Sequence, residues 1–340
     1  MKKIVSLVLV AVLAVSMVAC GGTDNAAKNE DKTLRDVTVI LDYVPNTNHT
    51  GLYAAKDLGF YEEVGLNVNI IEPTDGVTPT LIAAGKGDFG ITYQEDVTYA
   101  LASEDPLPIK AIATIIQHNT SGFASYVGKN ITSPKDFEAK TYSGWGSPAE
   151  EAIINAVMKK SGADFSKLTM ITSDGLNYGM LKKDIDLIWM FWAWDGIASK
   201  REGIDVNYIE LRELDPRLDY YTPVIVANNE TLKNDPDMVK KFMAATTKGY
   251  EYAIQNPDDA ATILHKYADT YDLEMLKESQ EYLAEKYSED SETWGTMKSS
   301  VWDNYTDFMM EYGLINKRVE ASECYTNEFL PNGDATETEV

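Results

Sequence analysis

Cysteine is nearly missing from this chain: Cys20 and Cys324 are the only two among 340 residues. A four-cysteine zinc site, clustered redox cysteines and any disulfide beyond a single Cys20–Cys324 pair are thereby excluded. Histidine is almost as scarce, with His49, His118 and His265. There is no HExxH, no G-x-S-x-G, no Walker loop and no glycine-rich dinucleotide fingerprint. No catalytic residue, metal site or cofactor is expected on these grounds. Positive charge is short as well, 30 Lys plus Arg against 54 Asp plus Glu, and the formal charge of −24 repels nucleic acid and anionic lipid. No Pro/Gly/Ser-rich linker and no repeat cuts the chain into modules. Its length suits two domains, which are expected to share chain segments.

What is present begins with a leader. Met1-Lys2-Lys3 is positive, Ile4 to Val18 is almost wholly apolar, and Ala19-Cys20-Gly21-Gly22 follows with small residues, the layout of a secretory signal over residues 1–19. The apolar run is too short to span a bilayer. Met17-Val18-Ala19-Cys20 resembles a bacterial lipobox, in which Cys20 is lipidated and becomes the mature N-terminus. Residues 20–35 read as a flexible tether, and residues 331–340 as a frayed acidic tail. The expected location is the extracytoplasmic face of a bacterial, Gram-positive cell membrane, reached through the N-terminal lipid alone.

Between these ends, short β-branched runs alternate with helical patterns, which predicts an α/β fold. Val37–Asp42 and Leu66–Ile71 read as strands around a helix over Gly51–Glu63, a βαβ unit. Further strands are predicted at Asp88–Thr92, Ile109–Ile116, Ala139–Ser143, Leu168–Thr172, Ile185–Met190, Asp205–Leu211 and Pro223–Ala227. Ser147 and Pro148 predict a helix start, as do Asp235-Pro236, Asn256-Pro257 and Asp272 in a helical C-terminal third.

Ligands of α/β sheets gather beyond the carboxyl ends of strands. The segments expected there are Asp42–Tyr53, Gly90–Tyr99, Gln117–Tyr126, Ser143–Ala152 and Trp189–Gly196, and none contains a Lys or Arg. A desolvated anion needs charge-assisted donors. Four of the six tryptophans, Trp145, Trp189, Trp192 and Trp194, lie in the last two segments, where ring faces could sandwich a flat ligand or simply join the core. The set favours a neutral or weakly basic planar heterocycle. His49 and His118 follow strands and could either line a cleft or bond within turns.

The stretch LDYVPNTNHTGLYAAKDLGFYEEVGLNV, continued by GKGDFGITYQED, IATIIQH, ITSPKDFEAKTYSGWGSPAEEAI and the Trp192–Ile197 run, resembles the thiamine-pyrimidine-precursor-binding family of ABC-importer solute-binding lipoproteins. The resemblance implies a two-lobed periplasmic-binding-protein-like fold of type II. Each lobe would be a mostly parallel sheet flanked by helices, with the ligand in the cleft between lobes. It implies lobe 1 over residues 36–124 plus 219–330 and lobe 2 over 125–218. Carried over by position, Tyr43, Asn46 and His49 belong to the first loop, Gly144, Ser147, Pro148 and Glu150 to the second-lobe loop, and Asp195 accepts from an aminopyrimidine. Closure would bury the ring between Trp145 or Trp192 and tyrosines, with Tyr93 and Tyr221 among the candidates, and with Asn46, Gln94 and Gln117 as polar fixers.

The expected function is therefore capture of a pyrimidine thiamine precursor, of hydroxymethylpyrimidine or formylaminopyrimidine type, by a monomeric receptor that delivers it to the transmembrane subunits of an ABC permease. Riboflavin or another aromatic heterocycle is the alternative ligand. A pyrimidine-synthase-like enzyme and an adhesion or signalling module are the alternative classes. The family's synthases use a cysteine-rich motif that this sequence lacks.

Overall fold

The computed structural model describes residues 34–73, 77–173 and 178–333. The expected signal peptide, Cys20, nearly all of the tether and the tail beyond Gly333 lie outside the described residues. Ten strands follow in chain order: β1 (Arg35–Ile40), β2 (Leu66–Ile71), β3 (Phe89–Thr92), β4 (Ile109–Thr114), β5 (Ser121–Tyr126), β6 (Thr141–Gly144), β7 (Thr169–Thr172), β8 (Leu187–Phe191), β9 (Val206–Glu210) and β10 (Val224–Asn228). They form two five-stranded sheets, ordered β2-β1-β3-β10-β4 and β7-β6-β8-β5-β9. Helices flank both sheets, giving a two-lobed α/β molecule.

In each sheet four strands run one way and the fifth, β10 or β5, is antiparallel to both neighbours. These two are the strands that the chain enters on crossing from the other sheet. The change of sheet lies between Thr114 and Ser121 and again between Glu210 and Val224. A cut after residue 124, as expected from the resemblance, would fall inside β5.

Local patterning explains most elements. β1 and β2 pair in parallel with Val37 opposite Val68 and Val39 opposite Ile70, so one β-branched stripe crosses both strands, with Val37, Val39 and Val68 buried and Ile70 half-buried. The helix expected over Gly51–Glu63 is two, Thr50–Asp57 and Phe60–Glu63, because Gly59 between them takes φ +77°. β5 was expected as a polar loop; its small residues Ser121, Gly122, Ala124 and Ser125 suit a strand with neighbours on both edges and no exposed face. Trp192–Gly196 is one π-helical turn. Trp189 is buried in β8, edge-on to Phe123 with ring centroids 5.4 Å apart.

The C-terminal helices Pro236–Gln255 and Leu273–Lys286 begin at Asp235 and Asp272, whose carboxylates accept from the N–H groups of Met238 and Met275. The second of them ties the lobes together. Buried Ser279 is 2.6 Å from Thr47 Oγ1 and donates to the carbonyl of Ala193 at 2.5 Å. Among the described residues no helix is long and apolar enough to cross a membrane.

Candidate functional site

A cavity of about 1130 Å³ lies where the two sheets face each other. Its wall contains the residues following β1, β3 and β4, the carboxyl ends of β6, β7 and β8, and the residues just before β5 and β10. The fold thus aims the ligand-facing ends of both sheets at one space.

On the first-sheet side, Asp42 follows β1 and is bonded at both oxygens: His49 Nε2 lies 2.7 Å from Oδ1, and the Tyr93 hydroxyl donates to Oδ2 at 2.8 Å. Burial alone would raise the Asp42 carboxyl; the charge and hydrogen bond of His49 and the bond from Tyr93 outweigh it and leave the group below its ordinary value. Asn46 caps the following turn, accepting from the N–H of Asn48 at 2.9 Å. Tyr287 and Tyr250 hold that turn from behind, donating to the carbonyls of Thr47 and Asn48 at 2.5 and 2.8 Å.

On the second-sheet side the turn after β6 presents Trp145, 45% exposed. Its ring stands edge-on to Trp189 at 5.1 Å, and its indole N–H donates to Ser147 Oγ at 3.0 Å. Ser147 also caps the helix Pro148–Lys160, accepting from Glu150 N–H at 3.1 Å. Ser147 and Glu150 line a second cavity of about 360 Å³, which shares Ile171 and Thr172 with the first.

Between the sheets, Asp195 projects from the π-helical turn. One carboxylate oxygen accepts from Phe191 N–H at 3.1 Å, and among the described residues the other has no hydrogen-bond partner. Burial pushes this carboxyl up to about 6, against the lowering bond from Phe191. Arg201 is the only basic side chain among the described lining residues, and each of its terminal nitrogens donates to a carboxylate, Asp272 at 2.7 Å and Glu278 at 2.5 Å. Asp42, Asp195, Glu202 and Asp272 outnumber it, so the space repels anions.

Of the residues named from the sequence, Tyr43, Asn46, Tyr93, Trp145 and Asp195 line the main cavity together. His49, Gln94, Gln117, Ser147, Glu150, Trp192 and Tyr221 do not. The reason differs from one to the next. His49 is buried behind Asp42. Gln94 donates to the carbonyl of Val301 and accepts from Tyr221 N–H, Gln117 donates to the carbonyl of Thr296, and the buried Tyr221 hydroxyl accepts from Lys298 N–H. The Trp192 ring packs on Tyr208, centroids 4.8 Å apart. Trp194, for which the sequence left ligand contact and core packing both open, lines the cavity, its ring edge-on to Tyr271 at 4.8 Å; sequence reasoning left out Tyr271, Met275 and Arg201. Trp194 carried the same aromatic signal as Trp192. Tyr271 and Met275 flank a helix start and carried none.

His118 does not line the cavity. It sits in the first crossover and bridges Asp219 of the second crossover, at 2.6 Å from Nδ1, and Asp290 beyond the helix Leu273–Lys286, at 3.2 Å from Nε2. The bond with Asp219 raises its pKa, opposed by burial. A raised folded-state value means stability that is full below the unfolded pKa and lost as pH climbs through the folded one. His118→Gln is therefore expected to destabilise the protein in urea melts at pH 5.5 and to match the wild type at pH 9; equal losses at both would show that the ring acts without its charge.

Known proteins similar to this chain include both binding proteins and enzymes. A formylaminopyrimidine-binding protein of Halalkalibacterium halodurans is 26% identical over 337 residues, 96% of this chain and 98% of that one. The riboflavin-binding protein RibY of Chloroflexus aurantiacus is 23% identical, covering 93% and 92%. Proteins named 4-amino-5-hydroxymethyl-2-methylpyrimidine phosphate synthase also match, the one from Legionella pneumophila at 23% identity over 87% of this chain and 92% of that one. In fold, the chain is similar to the alkanesulfonate-binding protein SsuA of Xanthomonas axonopodis pv. citri, with TM-score 0.64, 12% identity and coverage of 85% and 97%. The model of the family described as NMT1/THI5 like matches residues 46–260, more than half of the chain, and the protein belongs to that family.

Proposed function

We propose that this protein is an extracytoplasmic receptor of an ABC importer that takes a flat pyrimidine, of the hydroxymethyl- or formylamino-pyrimidine type, into the cavity between its lobes. Lipidation at Cys20 would anchor it, and a permease would receive the ligand from the closed monomer. The observation that carries the reading is the cavity's chemistry: tryptophan and tyrosine faces, a half-committed carboxylate at Asp195, and a single arginine already neutralised by Asp272 and Glu278. Such a site accepts amino groups and ring faces and has no free cation for sulfonate or phosphate. The similarity to a formylaminopyrimidine-binding protein over nearly the full length of both chains supports it.

A nucleophilic or synthase-like role has little support. Cys324 is the only cysteine of the described chain, it is buried, and burial pushes its thiol up to about 12. Riboflavin is the second reading for the ligand, favoured by a cavity somewhat above the usual range of roughly 300–1,000 Å³ and by the similarity to RibY. A thermal-shift panel of residues 23–340 with hydroxymethylpyrimidine, formylaminopyrimidine, thiamine, riboflavin, taurine and nitrate tests both. A pyrimidine at about 100 times its dissociation constant should add about 2.7 kcal/mol. A riboflavin hit alone changes the ligand; a taurine or nitrate hit overturns the reading.

A further inference from the structure

Glu150 is a carboxylate 1% exposed, and its charge is spent within its own loop. One oxygen receives the Tyr142 hydroxyl and, at 3.3 Å, Trp145 N–H; the other receives Gly146 N–H at 2.6 Å. The backbone of the loop closes around it so tightly that a Cβ on Gly144 would fall 1.7 Å from a Glu150 oxygen. Trp145 is thus gripped at both ends, its backbone by Glu150 and its indole N–H by the Ser147 cap. All of these bonds lie within β6, the turn after it and the first turn of one helix. They need neither the other lobe nor a ligand.

We infer that Glu150 is a positioning residue for ligand binding: it holds the 144–147 turn so that Trp145 stands as a preformed stacking plate before any ligand arrives. This rests on the cavity being the ligand site. A ring that meets a fixed indole avoids the cost of ordering that side chain on binding. An amide at position 150 would turn an N–H₂ toward one of the loop N–H groups, leaving a buried donor without an acceptor and freeing the turn. Glu150 therefore acts through Trp145, and its whole effect on affinity should pass through that ring.

A double-mutant cycle with formylaminopyrimidine as the titrated probe tests this. Glu150→Gln is expected to weaken binding about tenfold in the wild-type background. In Trp145→Ala it should cause no further loss. Tyr142→Phe removes only the phenol bond, keeps both loop bonds, and serves as a milder second variant if Glu150→Gln folds poorly; its smaller loss should likewise vanish without Trp145. Acrylamide quenching of Trp145, taken as the difference from Trp145→Phe, should rise in the Glu150→Gln protein before ligand is added, which a merely stabilising carboxylate would not cause. Equal losses in both backgrounds, or unchanged quenching, overturn the positioning role while the site stands. A Trp145→Ala protein with full affinity overturns the site reading, and this inference with it.

Discussion

Asp195→Asn should make the protein more stable and a worse receptor. The side-chain oxygen that accepts from Phe191 N–H at 3.1 Å survives the change, so the π-helical turn keeps its geometry. What disappears is a desolvated charge. The carboxyl lies near 6 in the folded protein against an ordinary 3.8, so the folded state holds its proton more tightly than the unfolded chain does. Stability of the wild type consequently falls as pH rises from about 4 to about 6 and stays reduced above that. The separation corresponds to about 3 kcal/mol. Denaturant melts should show Asp195→Asn and wild type equal near pH 3.5 and the variant ahead by up to that amount at pH 8. Formylaminopyrimidine should bind the variant about 10- to 100-fold more weakly, the worth of a hydrogen bond to a charged acceptor. Equal stability at both pH values would show that the carboxylate is well solvated. Unchanged affinity would remove it from the binding surface.

Gly249→Ala is expected to cause a large loss of stability. Gly249 lies in the helix Pro236–Gln255 where that helix crosses Thr50–Asp57, and an added Cβ would sit 2.1 Å from the carbonyl oxygen of Gly51 and 2.8 Å from Ala55 Cβ. The reverse contact is as close, since a Cβ on Gly51 would fall 2.2 Å from the Tyr250 ring. Helix propensity favours alanine by about 1 kcal/mol. Overpacking against backbone costs about 1–3 kcal/mol and sometimes more, and here the obstacle is a carbonyl, so the steric effect wins. With the steric cost at the upper end of that range, a net loss of about 2 kcal/mol is expected in urea melts. Ligand affinity should fall with it, because the displaced helix carries the Asn46–His49 turn at its N-terminus. Gly203→Ala is the control: φ is +69° with nothing near the new methyl, so only backbone strain of about 1 kcal/mol applies. A Gly249→Ala protein no worse than that control would mean that the two helices separate easily.

The strands were legible wherever their own side chains carry the pattern, as in Val37–Ile40 and the apolar run at Ile109. β5 was not, because Ser121-Gly122 and Ala124-Ser125 look like a loop until β8 and β9 cover both edges. The cavity residues Tyr43, Asn46, Tyr93 and Trp145 were legible for a related reason: each follows a strand whose carboxyl end points at the cavity. Gln94 and Gln117 have the right chemistry and the right place in the chain, yet their amides are consumed by the carbonyls of Val301 and Thr296, some two hundred residues away. Nothing local announces such a partner. Tyr271 and Met275 fail in the opposite direction, ordinary at a helix start and placed in the cavity wall by the way the C-terminal helix spans both lobes.

By itself the sequence determined an α/β architecture, an acidic chain unsuited to nucleic acid, and a set of post-strand segments rich in aromatic, amide and carboxylate side chains and without Lys or Arg. These follow from composition and from periodicities of two and 3.6, which each segment carries alone. Only the tertiary structure decided which polar groups remain available to a ligand. Among the described residues it left one oxygen of Asp195 uncommitted, tied Glu150 to its own turn and to Tyr142, and paired Arg201 with Asp272 and Glu278. A buried donor or acceptor takes the nearest partner in space, and nearness in space between residues far apart in the chain is set by how the two sheets and the C-terminal helices pack.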